Sequence, residues 1–112
     1  MIGSAGFVGR HRKELPGPDE ELGYALHPDF WGRGLMTEAA RELIRWGFEE
    51  LGLSTIWCNH YDGNERSHRV IEKCGFRYDG NLRRAFLRYD GAVLDDVLYS
   101  MTRDEFYALY GL

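Results

Sequence analysis

Apolar positions along the chain switch between two spacings, and the switches mark out its elements. From Leu35, the residues Leu35, Met36, Ala39, Ala40, Leu43, Ile44, Phe48 and Leu51 recur at helical spacing. Glu38, Arg41, Glu42, Arg45, Glu49 and Glu50 fall mostly on the opposite face, which predicts an amphipathic helix. Gly52 is placed to end it in a left-handed conformation. A second helix is predicted to begin at Asn64, a favoured N-cap, and to end at Gly75. Ser67, Val70, Ile71 and Cys74 share one of its faces.

Between the helices the pattern turns to strands. Ile2–Val8 is apolar and glycine-rich and reads as a strand. Glu21–Leu26 alternates loosely, with Leu22, Tyr24 and Leu26 on one face, and Pro28 ends it. Ser54–Asn59 is β-branched and aromatic, as in a buried strand. Phe76–Tyr78 and Ala85–Tyr89 read as two further strands. Asp90-Gly91 signals a hairpin whose return strand is Ala92–Met101. Arg10–Glu20, with Pro16-Gly17-Pro18, reads as a loop, Asp62-Gly63 as a turn, and Arg103–Tyr110 as a short final helix or turn. The order β–β–α–β–α–β–β, with hairpin-like pairs flanking helices, predicts an α+β fold with a mixed, mostly antiparallel sheet. No repeat or low-complexity segment interrupts it, so residues 1–112 are expected to form one domain.

Composition narrows the function more than the fold. Of 112 residues, 44% are apolar, which allows a small core. The net charge of −4 argues against a general nucleic-acid binder. Arg83, Arg84 and Arg88 form a short cluster mixed with apolar residues, read as a solvated or helix-end feature. Cys58 and Cys74 match no zinc spacing and follow no signal peptide, so two buried thiols in a reducing cytoplasm are expected. The four histidines, His11, His27, His60 and His68, form no ligand set, and no metal is expected. No apolar run approaches the roughly 20 residues that span a bilayer.

The segment Trp31-Gly32-Arg33-Gly34-Leu35-Met36-Thr37 carries the chemistry. Its glycines allow a sharp turn and a close approach of the backbone to a ligand. The turn opens a helix, whose unpaired N–H groups and positive dipole end favour an anion such as a phosphate. It is not a P-loop, because no Gly-Lys-Ser/Thr follows, and it lacks the third glycine of the dinucleotide fingerprint. A plain tight turn and an anion-binding turn account for it equally well. Asn64-Glu65-Arg66-Ser67 and Glu72-Lys73-Cys74-Gly75-Phe76 join a polar helix start to a fixed helix end. An N-cap and a glycine C-cap explain Asn64 and Gly75 but not the residues between.

Three blocks taken together are specific. They are Glu21–Ala39 (ELGYALHPDFWGRGLMTEA), Asn64–Phe76 (NERSHRVIEKCGF), and Asp90-Gly91 followed by Asp95–Ser100 (DDVLYS). With these the chain resembles the GNAT superfamily of acetyl-CoA-dependent N-acetyltransferases, and within it the ribosomal-protein (RimJ/RimL-like) type. The resemblance runs from Glu21 to Ser100 in the family's order.

It implies roles for individual residues. The family's phosphate loop falls on Trp31–Met36, so backbone N–H groups of Gly32, Arg33, Gly34, Leu35, Met36 and Thr37 would hold the pyrophosphate of acetyl-CoA. Met36 stands where the family has glycine or alanine, which would narrow the turn. Tyr24, Ala25 and Leu26 match the strand that pairs with the pantetheine arm, and the N–H near Leu26 would stabilise the tetrahedral oxyanion. Asn64 matches a residue that hydrogen-bonds the coenzyme. Ser67 matches the position of the general acid for the departing thiolate. Direct attack by a neutral amine then needs little beyond in-line positioning. A base to accept the amine proton is not evident; His60 and Glu21 are the local candidates, each also explained as a structural or solvated residue.

The resemblance also implies a departure. The family's opening strand, two helices and second strand, which build one wall of the acceptor site and one side of the sheet, have no counterpart before Ile2–Val8. A strand there would be an unpaired sheet edge beside an uncovered apolar face, so a homodimer or swapped assembly is expected. A fragment of a longer protein would explain the same departure. The leading expectation is acetyl transfer to a protein N-terminus or a small amine. A catalytically weak or inactive acyl-CoA-binding module is the alternative, and a purely structural dimerisation piece a third.

Overall fold

The computed structural model describes residues 3–8, 19–26 and 34–111. Its elements are β1 (Gly3–Val8), β2 (Asp19–Leu26), α1 (Leu35–Glu49), β3 (Thr55–Tyr61), α2 (Glu65–Cys74), β4 (Arg77–Leu87), β5 (Val93–Thr102) and α3 (Arg103–Tyr110). The strands form a sheet of order β1-β2-β3-β5-β4. Only β2 and β3 run parallel; the other neighbours are antiparallel. The mixed, mostly antiparallel sheet read from the sequence is therefore what forms.

The core lies on one face of this sheet. Ala40, Ile44 and Phe48 of α1 meet Ile71 and Cys74 of α2, Ile56 and Cys58 of β3, Met101 of β5 and Phe106 of α3. Burial alternates along β3, with Ile56, Cys58 and His60 buried and Thr55, Trp57, Asn59 and Tyr61 half-buried on the other face. This is the period of a strand that divides a core from a second surface. Gly47 lets α1 sit close to the sheet, since a Cβ there would lie 2.9 Å from the ring of Phe7.

The helix boundaries follow local chemistry. Asn64 accepts a hydrogen bond from the N–H of Ser67 at 3.2 Å and caps α2, and Gly75 closes it at φ +92°. Thr102 and Glu105 form a capping box at the start of α3, which settles the final segment as a helix. Beyond the end of α1, Gly52 adopts φ +66°, and the Leu53 N–H returns to the Gly47 carbonyl at 3.1 Å.

Beyond shifts of one or two residues at strand ends, the structure departs from the sequence reading in β2, β3 and β4. Asp19 and Glu20 belong to β2 rather than to a loop, because Asp19 pairs in register with Thr55 and its carboxylate accepts the Trp57 indole N–H at 2.8 Å. A tertiary partner thus stabilises a polar strand start. β3 runs on to Tyr61, because His60 and Tyr61 pair with Val97 and Asp96. The two strands expected at Phe76–Tyr78 and Ala85–Tyr89 are one strand, β4, with irregularities between Tyr78 and Gly80 and between Leu82 and Phe86. Across the second of these, the Asp95 carboxylate accepts from the Arg84 backbone N–H at 2.8 Å and from the Asn81 amide at 2.9 Å. Arg84 adopts φ 53° there. Arg83, Arg84 and Arg88 lie on this hairpin, so the arginine cluster is a solvated feature and stands at no helix end. Arg88 grips Asp90 at 2.7 Å, and that guanidinium, with the Ala92 N–H, holds the Asp90 carboxyl down at about 2.

Candidate functional site

The parallel pair β2 and β3 is joined at only three register positions, Asp19↔Thr55, Glu20↔Ile56 and Glu21↔Trp57. Both strands then continue, β2 to Leu26 and β3 to Tyr61, with no ladder between them. On its outer side β2 stays paired with β1 as far as Gly3↔Leu26, and β3 stays paired with β5 as far as Tyr61↔Asp96. The sheet therefore splits along one line in its interior. Backbone N–H and C=O groups on the two lips of the split need partners, because unpaired ones inside a sheet are costly. An extended ligand that pairs like an added strand supplies them.

Tyr24, Ala25 and Leu26 form the carboxyl end of the β2 lip. Each lip leads to a helix. α1 follows β2 and begins at Gly34, which adopts φ +73° and ψ 4°. Glycine takes this left-handed conformation without strain, and it gives the helix no side-chain cap. The first-turn N–H groups, which include those of Leu35, Met36 and Thr37, have no partner within the helix itself. Among the described residues nothing lies within 4 Å of where a Gly34 Cβ would stand. Met36 is only 7% exposed, so its side chain is packed into the fold. Gly32 and Arg33, with Trp31, lie outside the described residues.

α2 starts directly off the other lip, with the Asn64 N–H bonded to the Tyr61 carbonyl at 3.0 Å. Asn64 is exposed, and its Oδ1 is committed to the Ser67 N–H. Ser67 is buried one turn later. α1 and α2 pack on each other, and Arg41 donates to the Lys73 carbonyl at 2.7 Å.

The two candidate bases occupy different faces of the sheet. His60 is buried on the core face, with Nδ1 3.0 Å from the Tyr61 carbonyl and Nε2 3.1 Å from the Tyr99 hydroxyl. Its bonds are structural. Glu21 is buried rather than solvated, and it lines a cleft of about 100 Å³ with Trp57, Asn59, Asp79 and Leu98. The sequence reading passed over Tyr99, the hub of the polar contacts on the core face. Its signal was a hydroxyl placed on an apolar stripe with Val97 and Met101, since a buried polar group demands partners.

Burial pushes the Cys58 thiol up to about 12 and the Cys74 thiol up to about 11. Both cysteines are free and buried, as expected, and both are poor nucleophiles. Among the described residues no group of three or more His, Cys, Asp or Glu side chains is arranged to hold a metal ion. No described helix is long and apolar enough to cross a membrane.

Known proteins share both the sequence and the fold. Residues 1–77 match the family model described as the acetyltransferase (GNAT) domain. An uncharacterized N-acetyltransferase of Bacillus subtilis, YoaA, is 32% identical over 106 residues, covering 92% of this chain and 56% of its own. The crystal structure of ribosomal-protein-S5-alanine acetyltransferase from Vibrio fischeri superposes with a TM-score of 0.83 at 28% identity, covering 93% of this chain and 55% of its own. The structure of the microcin C7 self-immunity acetyltransferase MccE, in complex with acetyl-CoA and AMP, superposes with a TM-score of 0.65 at 25% identity over 75% of this chain and 46% of its own. The chain spans about half the length of the curated relatives it matches. By sequence and by fold the chain belongs to the GNAT acetyltransferases, whose co-substrate is acetyl-CoA, and it resembles their ribosomal-protein type.

Proposed function

We propose that the chain is an N-acetyltransferase that binds acetyl-CoA along the split between β2 and β3 and passes the acetyl group to an amine. The observation that carries this reading is the interior split, flanked by the glycine start of α1 and the capped start of α2. Backbone N–H groups from Gly32 to Thr37 hold the pyrophosphate at the positive end of α1. The pantetheine arm pairs with Tyr24, Ala25 and Leu26, and the Asn64 amide donates to it. The N–H at Leu26 stabilises the oxyanion. A neutral amine attacks the thioester carbon, the carbon–sulfur bond breaks, and Ser67 gives its hydroxyl proton to the departing sulfur. The amine loses one proton to water or to Glu21, the candidate base that lines the cleft, and Ser67 regains a proton from solvent, so the turnover closes with amide and free thiol.

Turnover of the Ser67→Ala variant, followed by release of free thiol, is expected to fall about a hundredfold while acetyl-CoA affinity is kept. Full turnover would remove Ser67 from the mechanism. Coenzyme binding with no thiol released for any amine would leave an acyl-CoA-binding module in place of an enzyme.

The acceptor in this proposal is a protein N-terminus or a small amine. The relative named for the alanine of ribosomal protein S5 favours the first. The buried, unpaired thiols suit a cytoplasmic setting. β1 is a sheet edge among the described strands, which supports a homodimer or swapped assembly of this chain. Light scattering at high micromolar concentration is expected to give twice the chain mass, and a monomer mass would overturn the assembly.

A further inference from the structure

We propose that Asp19 and Trp57 are positioning residues that set where the sheet opens, by clasping β2 to β3 at the closed end of the split. The Trp57 indole N–H donates to Asp19 Oδ2 at 2.8 Å. An indole nitrogen only donates, so the direction of this bond is fixed. Asp19 is 3% exposed, and Trp57 is half-buried on the face of β3 turned away from the core.

The register shows what the bond spans. Asp19 stands at the first of the three paired positions, opposite Thr55, and Trp57 at the last, opposite Glu21. The bond therefore runs diagonally across the whole joined stretch, from its first residue on β2 to its last on β3. An aromatic side chain has the reach for such a diagonal.

The joint it crosses is slight. Parallel pairs are a little less stable per residue than antiparallel ones, and this ladder ends after three positions. Among the described residues, β1 and β2 reach the core through Phe7 and Leu22. These two are register partners, so they hold the β1–β2 hairpin on the core face. The Asp19–Trp57 bond holds it on the other.

Beyond Glu21 and Trp57 the two strands continue without pairing, so this joint is where the lips diverge. Fixed on both faces, the joint sets the spacing of the lips. Loosened on one face, β2 pivots about Phe7 and Leu22, and the spacing varies. Backbone pairing with an inserted strand needs donors and acceptors about 2.9 Å apart, so binding must first restore that spacing. Glu21 rides on the same joint, and with Asp79 of β4 it lines the cleft beside Trp57. The positioning role rests on the reading of the split as the coenzyme slot; the clasp does not.

The test is calorimetry with acetyl-CoA on the natural chain, Asp19→Asn, Asp19→Leu, Trp57→Phe and the double variant Asp19→Leu/Trp57→Phe. A thermal melt and hydrogen exchange at the indole N–H groups accompany it on the same samples. Asp19→Asn keeps an acceptor oxygen and is expected to bind within about twofold of the natural chain. Asp19→Leu and Trp57→Phe each remove one partner of a part-buried bond, so each is expected to melt lower and to bind about tenfold more weakly. The double variant removes both partners, so its melting temperature is expected to recover while its affinity stays about tenfold down. A bond with a structural role alone would bring affinity back with stability. The double variant decides even where a single one fails to fold. The Trp57 indole N–H, identified by its loss in Trp57→Phe, is expected to exchange more slowly in the natural chain than in Asp19→Leu. Equal exchange in the two would overturn the clasp. Natural affinity in the double variant would overturn the positioning role alone. No acetyl-CoA binding by the natural chain would overturn the coenzyme reading, and the positioning role with it, while indole exchange still decides the clasp.

Discussion

Gly34→Val is expected to abolish useful coenzyme binding while leaving the chain folded. Gly34 adopts φ +73° at the start of α1, a conformation that costs an L-residue about 1–2 kcal/mol and a β-branched one more. Free of ligand, the variant turn can relax to another conformation, so binding must restore the strained one. That alone weakens affinity roughly five- to thirtyfold. Among the described residues nothing lies within 4 Å of where its Cβ would stand, so the added side chain is not crowded by them. It stands instead where the phosphates would approach the backbone, which removes what affinity strain leaves. Calorimetry with acetyl-CoA reads the loss, and circular dichroism shows whether α1 persists. Unchanged affinity in a folded variant would move the phosphates away from this turn.

Phe48→Ala is expected to cost about 3–5 kcal/mol of folding stability. Phe48 is 2% exposed and stacks on Phe106, itself fully buried, with ring centroids 4.8 Å apart. The contact ties α1 to α3, and α3 follows β5 without a loop. A domain of this size has about 5–15 kcal/mol in total, so the variant falls near the threshold of folding. Its melting temperature should drop by roughly 15–30 °C in a thermal scan. A loss under about 1 kcal/mol would mean that the site collapses around the missing ring, and that this core is far looser than its burial indicates.

What the sequence disclosed was local, and what it concealed depended on distant partners. The helices were legible because their apolar positions repeat at helical spacing and because Asn64 and Gly75 are capping residues whatever surrounds them. Gly34 and Ser67 were legible for the same reason, as parts of continuous motifs. The start of β2 was not, since two acidic residues look like loop until Trp57, far along the chain, donates to Asp19. β4 was read as two strands because the polar run from Asp79 to Arg84 has no strand period. It is held in the sheet by Asp95 on the neighbouring strand. The contacts of the Tyr99 hydroxyl with His60 Nε2 and His68 Nδ1 have no local signature at all, because the three residues come from β5, β3 and α2. The split between β2 and β3 is likewise a property of the sheet. Periodicity shows that two strands exist but not where their pairing stops.

A calorimetric titration of the 112-residue chain with acetyl-CoA tests the account most directly. Saturable binding at one coenzyme per chain, with a dissociation constant on the order of micromolar, is the predicted result. No saturable heat at millimolar coenzyme, from a sample shown to be folded, would contradict the central claim that the split sheet and its two helix starts form an acetyl-CoA site.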